Sequence, residues 1–141
     1  MKKIIAILNF VLIFGCTVAS TEEEQVTEVL DKTIRMEITT LQQSDAVQIS
    51  YYDYITDTYI VEQHIFDYDS SGSAIPKIIT LTDYDFRYIT GEIYRNNPIP
   101  VEISLKIYVD DELIIEESKT GDGSEYINIS FNYDILKQEN I

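Results

Sequence analysis

Few side chains in this sequence could carry covalent or metal chemistry, because it has one histidine, one cysteine and no tryptophan. Any Ser–His–Asp or Cys–His arrangement would have to use His64, since a nucleophile needs a hydrogen-bonded base held by a third group. No Gly-x-Ser-x-Gly elbow accompanies it. Period-two alternation puts His64 on one face with Glu62 and Phe66, which reads as a partly exposed strand histidine. Asp67-x-Asp69-x-Ser71-Gly72 has the spacing that opens a calcium loop. There, alternate oxygen ligands wrap a hard cation and glycine makes the sharp turn. The twelfth position, which should be a bidentate Glu, is Ile78. A calcium ion at Asp67, Asp69 and Ser71 would therefore need oxygens from elsewhere, such as Asp83 or Asp85. The same residues are ordinary turn formers. Asp110 and Asp111 are neighbouring carboxylates, but a tight hairpin explains them without acid and base roles. Tyr51, Tyr52, Tyr54, Tyr59 and Tyr68 cluster in sequence. Tyr52 and Tyr54 fall opposite Val47, Ile49 and Tyr51, so they are the pair expected at the surface. Rigid, amphipathic tyrosines there would suit contact with a protein or a sugar. No catalytic residue and no cofactor is expected beyond the calcium alternative. The Asn128-Ile129-Ser130 sequon lies inside a strand pattern and reads as coincidence.

Cys16 stands apart. It closes an N-terminal stretch in which Lys2 and Lys3 precede an apolar run from Ile4 to Phe14. That is the layout of a secretory signal, and the run is too short to span a bilayer. Two cleavage sites compete. One follows Ala19, with Thr17 and Ala19 as the small residues. The other precedes Cys16, where Ile13-Phe14-Gly15-Cys16 resembles the lipobox of bacterial lipoproteins. Ile13 and Gly15 match that pattern, and Phe14 stands where a small residue is usual. The resemblance implies that the Cys16 thiol carries a diacylglycerol and becomes the mature N-terminus. Two or more acyl chains give stable membrane anchoring. Residues 1–15 would then be the signal peptide and 16–32 an acidic tether, of which 17–25 has no apolar periodicity. Val26, Val29, Leu30 and Ile34 have helical spacing and leave 26–34 ambiguous. Glu22, Glu23 and Glu24 resemble the acidic surface-export signal of some Gram-negative lipoproteins. A solvated tether explains them equally well.

The charge balance excludes some partners. Twenty-five acidic residues face 10 basic ones, a net charge of −15. Loss of Lys2 and Lys3 with the leader would make the remainder more acidic still. Nucleic-acid affinity comes from basic residues neutralising phosphates, so no nucleic-acid partner is expected. Anionic headgroups should be repelled as well. A single cysteine rules out an internal disulfide and any multi-cysteine metal site.

The elements that position these residues read as strands. Period-two alternation is expected over residues 33–41, 46–54, 59–66, 77–82, 86–95, 99–110, 112–117 and 127–133. Turns separate them at 42–45, 56–58, 67–74, Asp83-Tyr84-Asp85, 96–98, Asp110-Asp111 and 119–124. The clearest case is Ile99, Val101, Ile103, Leu105, Ile107 and Val109 alternating with polar partners. The tail from Asp134 is too short to assign. About seven or eight short strands without a long helix argue for one antiparallel immunoglobulin-like β-sandwich over residues 33–141.

Four segments carry a further likeness: IRMEITTLQQSDAVQISYYDY, PKIITL, FRYITGEIY and VEISLKIYVDDELIIEES. Together they resemble the small sandwich domain of MmpS-like proteins over about residues 33–131. Ile107-Tyr108-Val109-Asp110-Asp111 matches that family's hairpin, with Asp111 in place of the usual glycine. The mycobacterial members are membrane-anchored accessory subunits of lipid and siderophore exporters, and related domains elsewhere are lipoproteins. The resemblance carries no catalytic residue.

The expected protein is thus a non-enzymatic cell-envelope lipoprotein, held in the membrane by its lipid, with the periplasmic or surface-exposed face left open. It would display its sandwich to an envelope protein, in the role of an accessory to a transport or envelope complex. The alternative is a module on the cell surface that binds calcium or a glycan.

Overall fold

The computed structural model describes residues 30–95 and 97–141. Cys16, the lipobox-like segment and Glu22 to Glu24 lie outside the described residues.

The alternating apolar pattern becomes two packed antiparallel sheets, a β-sandwich. In chain order the strands are β1 (Lys32–Thr40), β2 (Ala46–Asp53), β3 (Thr58–Ile65), β4 (Lys77–Tyr84) and β5 (Tyr88–Arg95). They continue with β6 (Glu102–Val109), β7 (Glu112–Thr120), β8 (Ile127–Asp134) and β9 (Glu139–Asn140). One sheet has the order β4-β1-β6-β7 and the other β3-β2-β5-β8-β9. Hairpins join β2 to β3 and β6 to β7, and the chain changes sheet at most other connections. The Asp110-Asp111 hairpin forms as expected, and the turn leading to Thr58 closes the other one. The β6–β7 turn needs a left-handed backbone at both central residues, and Asp110 and Asp111 supply it at φ 49° and 66°.

One face of each strand is apolar, so the two sheets bury those faces against each other. Ile34, Met36 and Ile38 of β1 meet Ile103, Leu105 and Ile107 of β6 within one sheet. Val47 and Ile49 of β2, Ile89 and Ile93 of β5, and Ile129 and Phe131 of β8 close the core from the other. Gly91 sits in the second sheet where a Cβ would come within 2.5 Å of Phe131 Cζ and also run into the Ser50 carbonyl oxygen. Glycine there lets the Phe131 ring lie flat over the sheet.

Three sequence expectations need correction. Asp83-Tyr84-Asp85 is not a free turn, because β4 runs through Tyr84, which is buried. Strict alternation from Ile79 and Leu81 would turn Asp83 into the core. A bulge shifts the register there, Asp83 takes φ 54°, and Tyr84 points inward instead. The fifth strand starts at Tyr88, not Phe86, and the sixth at Glu102, not Ile99. Pro98 and Pro100 lack the N–H that a ladder needs, which delays β6. The tail, which the sequence leaves unassigned, folds back as β9 beside β8.

Candidate functional site

The outer face of the five-stranded sheet has a composition unlike the rest of the chain. Register sets it. Val47 and Ile49 point inward, so Gln48, Ser50 and Tyr52 of β2 point out. Across the ladders, Tyr59 lies opposite Tyr52, Val61 opposite Ser50 and Gln63 opposite Gln48. On the other side, Ser50 pairs Glu92 and Gln48 pairs Tyr94. Beyond them Asn132, Ser130 and Asn128 of β8 pair Thr90, Glu92 and Tyr94. Glu92 is the single ionised side chain in these rows. The outer face of the other sheet is laced with charge: Arg35 pairs Glu37 and stacks over the Tyr108 ring at 3.8 Å, and Lys106 pairs Glu116 at 3.0 Å.

Aromatic rings gather at one end of this charge-poor face. Tyr52 packs against Tyr59 at 5.5 Å and Phe86 at 5.1 Å, centroid to centroid. Phe86 stacks on Tyr54 at 5.7 Å and meets Tyr88 edge-on at 5.7 Å. The two tyrosines singled out from sequence therefore stand together. Tyr54 is exposed at 38%, while Tyr52 is half-buried under its neighbours. The Tyr52 hydroxyl donates to Asp57 Oδ1 at 2.5 Å. That hydrogen bond stabilises the protonated phenol and pushes it up to about 12. A hydrogen bond to Asp85 raises Tyr54 in the same way. The rings border a groove of about 370 Å³ lined by Tyr52, Tyr59, Phe86, Tyr88, Thr90, Asn132 and Ile141. A second hollow of about 460 Å³ continues it over Ser50, Thr90, Glu92, Ser130 and Asn132. The pair forms one trough, aromatic at one end and lined by hydroxyls and amides at the other.

One edge of this sheet is β9, the other β3. Its outward side chains are Tyr59, Val61, Gln63 and Ile65, with Tyr59, Val61 and Ile65 exposed at 57%, 58% and 61%. Its one carboxylate, Glu62, points the other way, with Oε1 2.9 Å from Lys77 Nζ of β4. His64 shares that inward side. Its ring meets Phe66 edge-on at 4.9 Å, and burial, followed by the nearby Lys77 charge, holds it below the usual imidazole range.

The calcium-like loop closes on itself. Asp69 Oδ1 accepts from Ser71 N at 2.8 Å, Ser71 Oγ at 2.7 Å and Ser73 N at 2.9 Å. The Ser71 hydroxyl, then the Ser73 amide, holds the Asp69 carboxyl below its ordinary value. Asp67 contributes its carbonyl to Ile75 N. The loop thus brings Ser71 to Asp69 but spends the Asp69 oxygen on the turn. Asp122 does the same for Ser124 without any calcium-like spacing. Among the described residues, no three His, Cys, Asp or Glu side chains group to hold a metal. Asp110 anchors the start of β1, accepting from Thr33 N at 3.0 Å and Lys32 Nζ at 2.7 Å, while Asp111 is 93% exposed.

One constellation escaped sequence reading. Arg95 and Asp45 are both buried, and Arg95 Nε lies 2.7 Å from Asp45 Oδ2 as an ion pair rather than an in-line hydrogen bond. Arg95 Nη2 donates to Thr40 Oγ1 at 2.8 Å and to the Glu102 carbonyl at 3.2 Å, and Nη1 donates to the Val101 carbonyl. Asp45 Oδ1 accepts from Ala46 N at 2.9 Å and Asn97 Nδ2 at 3.0 Å. These groups tie the β1–β2 turn to the approach to β6. The signal was parity: Ile89, Gly91, Ile93 and Arg95 alternate inward, so Arg95 occupies a core position. With every other donor and acceptor of the pair hydrogen-bonded, the cluster is structural.

No protein-family model matches this chain, and no curated protein matches it either.

Proposed function

We propose that this chain is a non-enzymatic binding module of the cell envelope, held to a membrane by a lipid on Cys16. It meets a protein partner through the exposed edge strand β3. The observation that carries the reading is the state of the sheet edges. An unpaired strand can accept a strand from another chain, and proteins blunt their edges with charge, bulges or short length. Among the described residues, β4 carries the Asp83 bulge, β7 carries a bulge and Glu112, Glu116, Glu117 and Lys119, and β9 has two residues. By contrast β3 pairs β2 in unbroken register over its whole length and presents Tyr59, Val61 and Ile65 without an outward charge. The accessory role in a transport or envelope complex rests on the MmpS-like resemblance.

Labelling with a clickable palmitate analogue tests the anchor: label and membrane retention should vanish together in Cys16→Ala. Val61→Lys tests the contact, since a charge on the outward row of β3 should release a co-purifying envelope partner while leaving the fold intact. Retention of the partner by Val61→Lys would remove β3 from the interface.

A further inference from the structure

The trough across the outer face of the five-stranded sheet has a chemistry separate from strand pairing at β3. We propose that it binds a neutral glycan chain, with pyranose rings against Tyr59 and Tyr52 and sugar hydroxyls bonded by Thr90, Ser130 and Asn132.

Three observations converge on that ligand. The first is the division of the trough. Its aromatic end of about 370 Å³ and its more polar end of about 460 Å³ share Tyr59, Thr90, Asn132 and Ile141, so one extended ligand would touch both. A sugar chain has matching halves, with flat C–H faces that pack on aromatic rings and a rim of hydroxyls that both donate and accept. A purely apolar ligand would leave the amide and hydroxyl row unpaired and desolvated, which costs affinity. The second observation is donor type. Asn132 offers both an amide donor and a carbonyl acceptor, and Ser50, Thr90 and Ser130 offer hydroxyls. Such groups read hydroxyls in either sense. Glu92 pairs Ser130 across the ladder and adds one strong acceptor for a sugar hydroxyl. The third is charge. In a chain of net charge −15, carboxylates crowd the loops and the other sheet yet leave these rows almost bare. An anionic polymer would be repelled by the whole molecule, and a cationic one would be held better where the carboxylates are. What remains is an uncharged, hydroxyl-rich polymer. Open surface hollows of this kind, a few hundred Å³ each, also suit a chain that passes over the surface rather than a buried small molecule.

The test is native affinity electrophoresis of the full chain carrying Cys16→Ala through gels containing neutral polymers, namely α-glucan, β-glucan, arabinoxylan and galactomannan. Alginate and polygalacturonate serve as anionic controls. The expected result is retardation by at least one neutral polymer and by neither anionic one. Tyr59→Ala and Asn132→Ala, both exposed and free of core contacts, should each weaken that binding by roughly tenfold with an unchanged Tm, the size expected for losing one ring contact or one good hydrogen bond. Val61→Lys, on β3 beyond the trough lining, should bind as wild type does, so loss of the protein partner and loss of glycan binding read out separately. The proposal is overturned if no neutral polymer retards the chain, if the anionic polymers retard it equally, or if Tyr59→Ala and Asn132→Ala bind as wild type does.

Discussion

Arg95 and Asp45 meet at 2.7 Å with both side chains wholly shut off from water. Burying two charges is costly, and the cost is offset here by Thr40, Asn97 and the backbone groups that fill the donor and acceptor sites other than Arg95 Nε. Removing one partner leaves the other charged and unpaired. Asp45→Ala should therefore cost about 3–5 kcal/mol. Urea denaturation should show the midpoint falling steeply with little change in slope. A loss below about 1 kcal/mol, the scale of an exposed pair, would mean that water reaches this cluster.

Gly91 and Phe131 give a second prediction. A methyl on Gly91 would collide with a backbone oxygen, which no rotamer change relieves. Gly91→Ala should cost about 3 kcal/mol, the upper range for overpacking. Phe131→Leu added to it should recover only part of the loss. Full recovery in the double variant would place the clash on the ring alone.

The response to acid follows from two kinds of group. His64 is held below its ordinary value of 6.5, so the unfolded chain takes up that proton first. The stability tied to neutral His64 is complete above pH 6.5 and is lost as pH falls through the folded value. Asp134 and Asp110 are held below the ordinary 3.8 by Arg87 and by Lys32. Their contribution is complete above that value and disappears as pH falls through the folded ones. Thermal melts on lowering pH from neutral should thus show an early decline that His64→Gln abolishes, and a later one that it does not. An early decline that survives His64→Gln would assign it to another group.

The 67–73 loop should respond little to calcium, because Asp69 already serves three donors. Millimolar Ca²⁺ should leave Tm unchanged within a degree or so. Binding to the native state alone at a hundred times Kd would add about 2.7 kcal/mol, a rise of several degrees. Such a rise would show that the turn opens to take a cation.

Much of the architecture is written locally. Alternation in Ile34-Met36-Ile38 and in Ile103-Leu105-Ile107 is enough to name two strands and their buried faces. The Asp110-Asp111 hairpin is legible for the same reason, since its turn chemistry sits in adjacent residues. Tyr84 was misplaced because a bulge breaks the period, and a period count cannot see an inserted residue. Arg95 was missed because its partner Asp45 lies in another turn, though its inward parity marked it. Tyr52 and Tyr54 have the expected outward parity, but Tyr52 is half-buried because Phe86, Tyr88 and Tyr59 gather round it once β2, β3 and β5 are neighbours. The undefended state of β3 likewise depends on sheet order, which is set by non-local pairing.

The central claim is that a partner docks on β3, and a photo-crosslinking amino acid tests it most directly. It would be placed at Val61 on β3, or at Lys106 on the charged outer face of the other sheet, in the full chain in cells. The account predicts a discrete adduct with an envelope protein from position 61, absent from position 106 and lost when Gln63→Lys is added. Adducts of equal yield from both positions, or none from position 61, would contradict it.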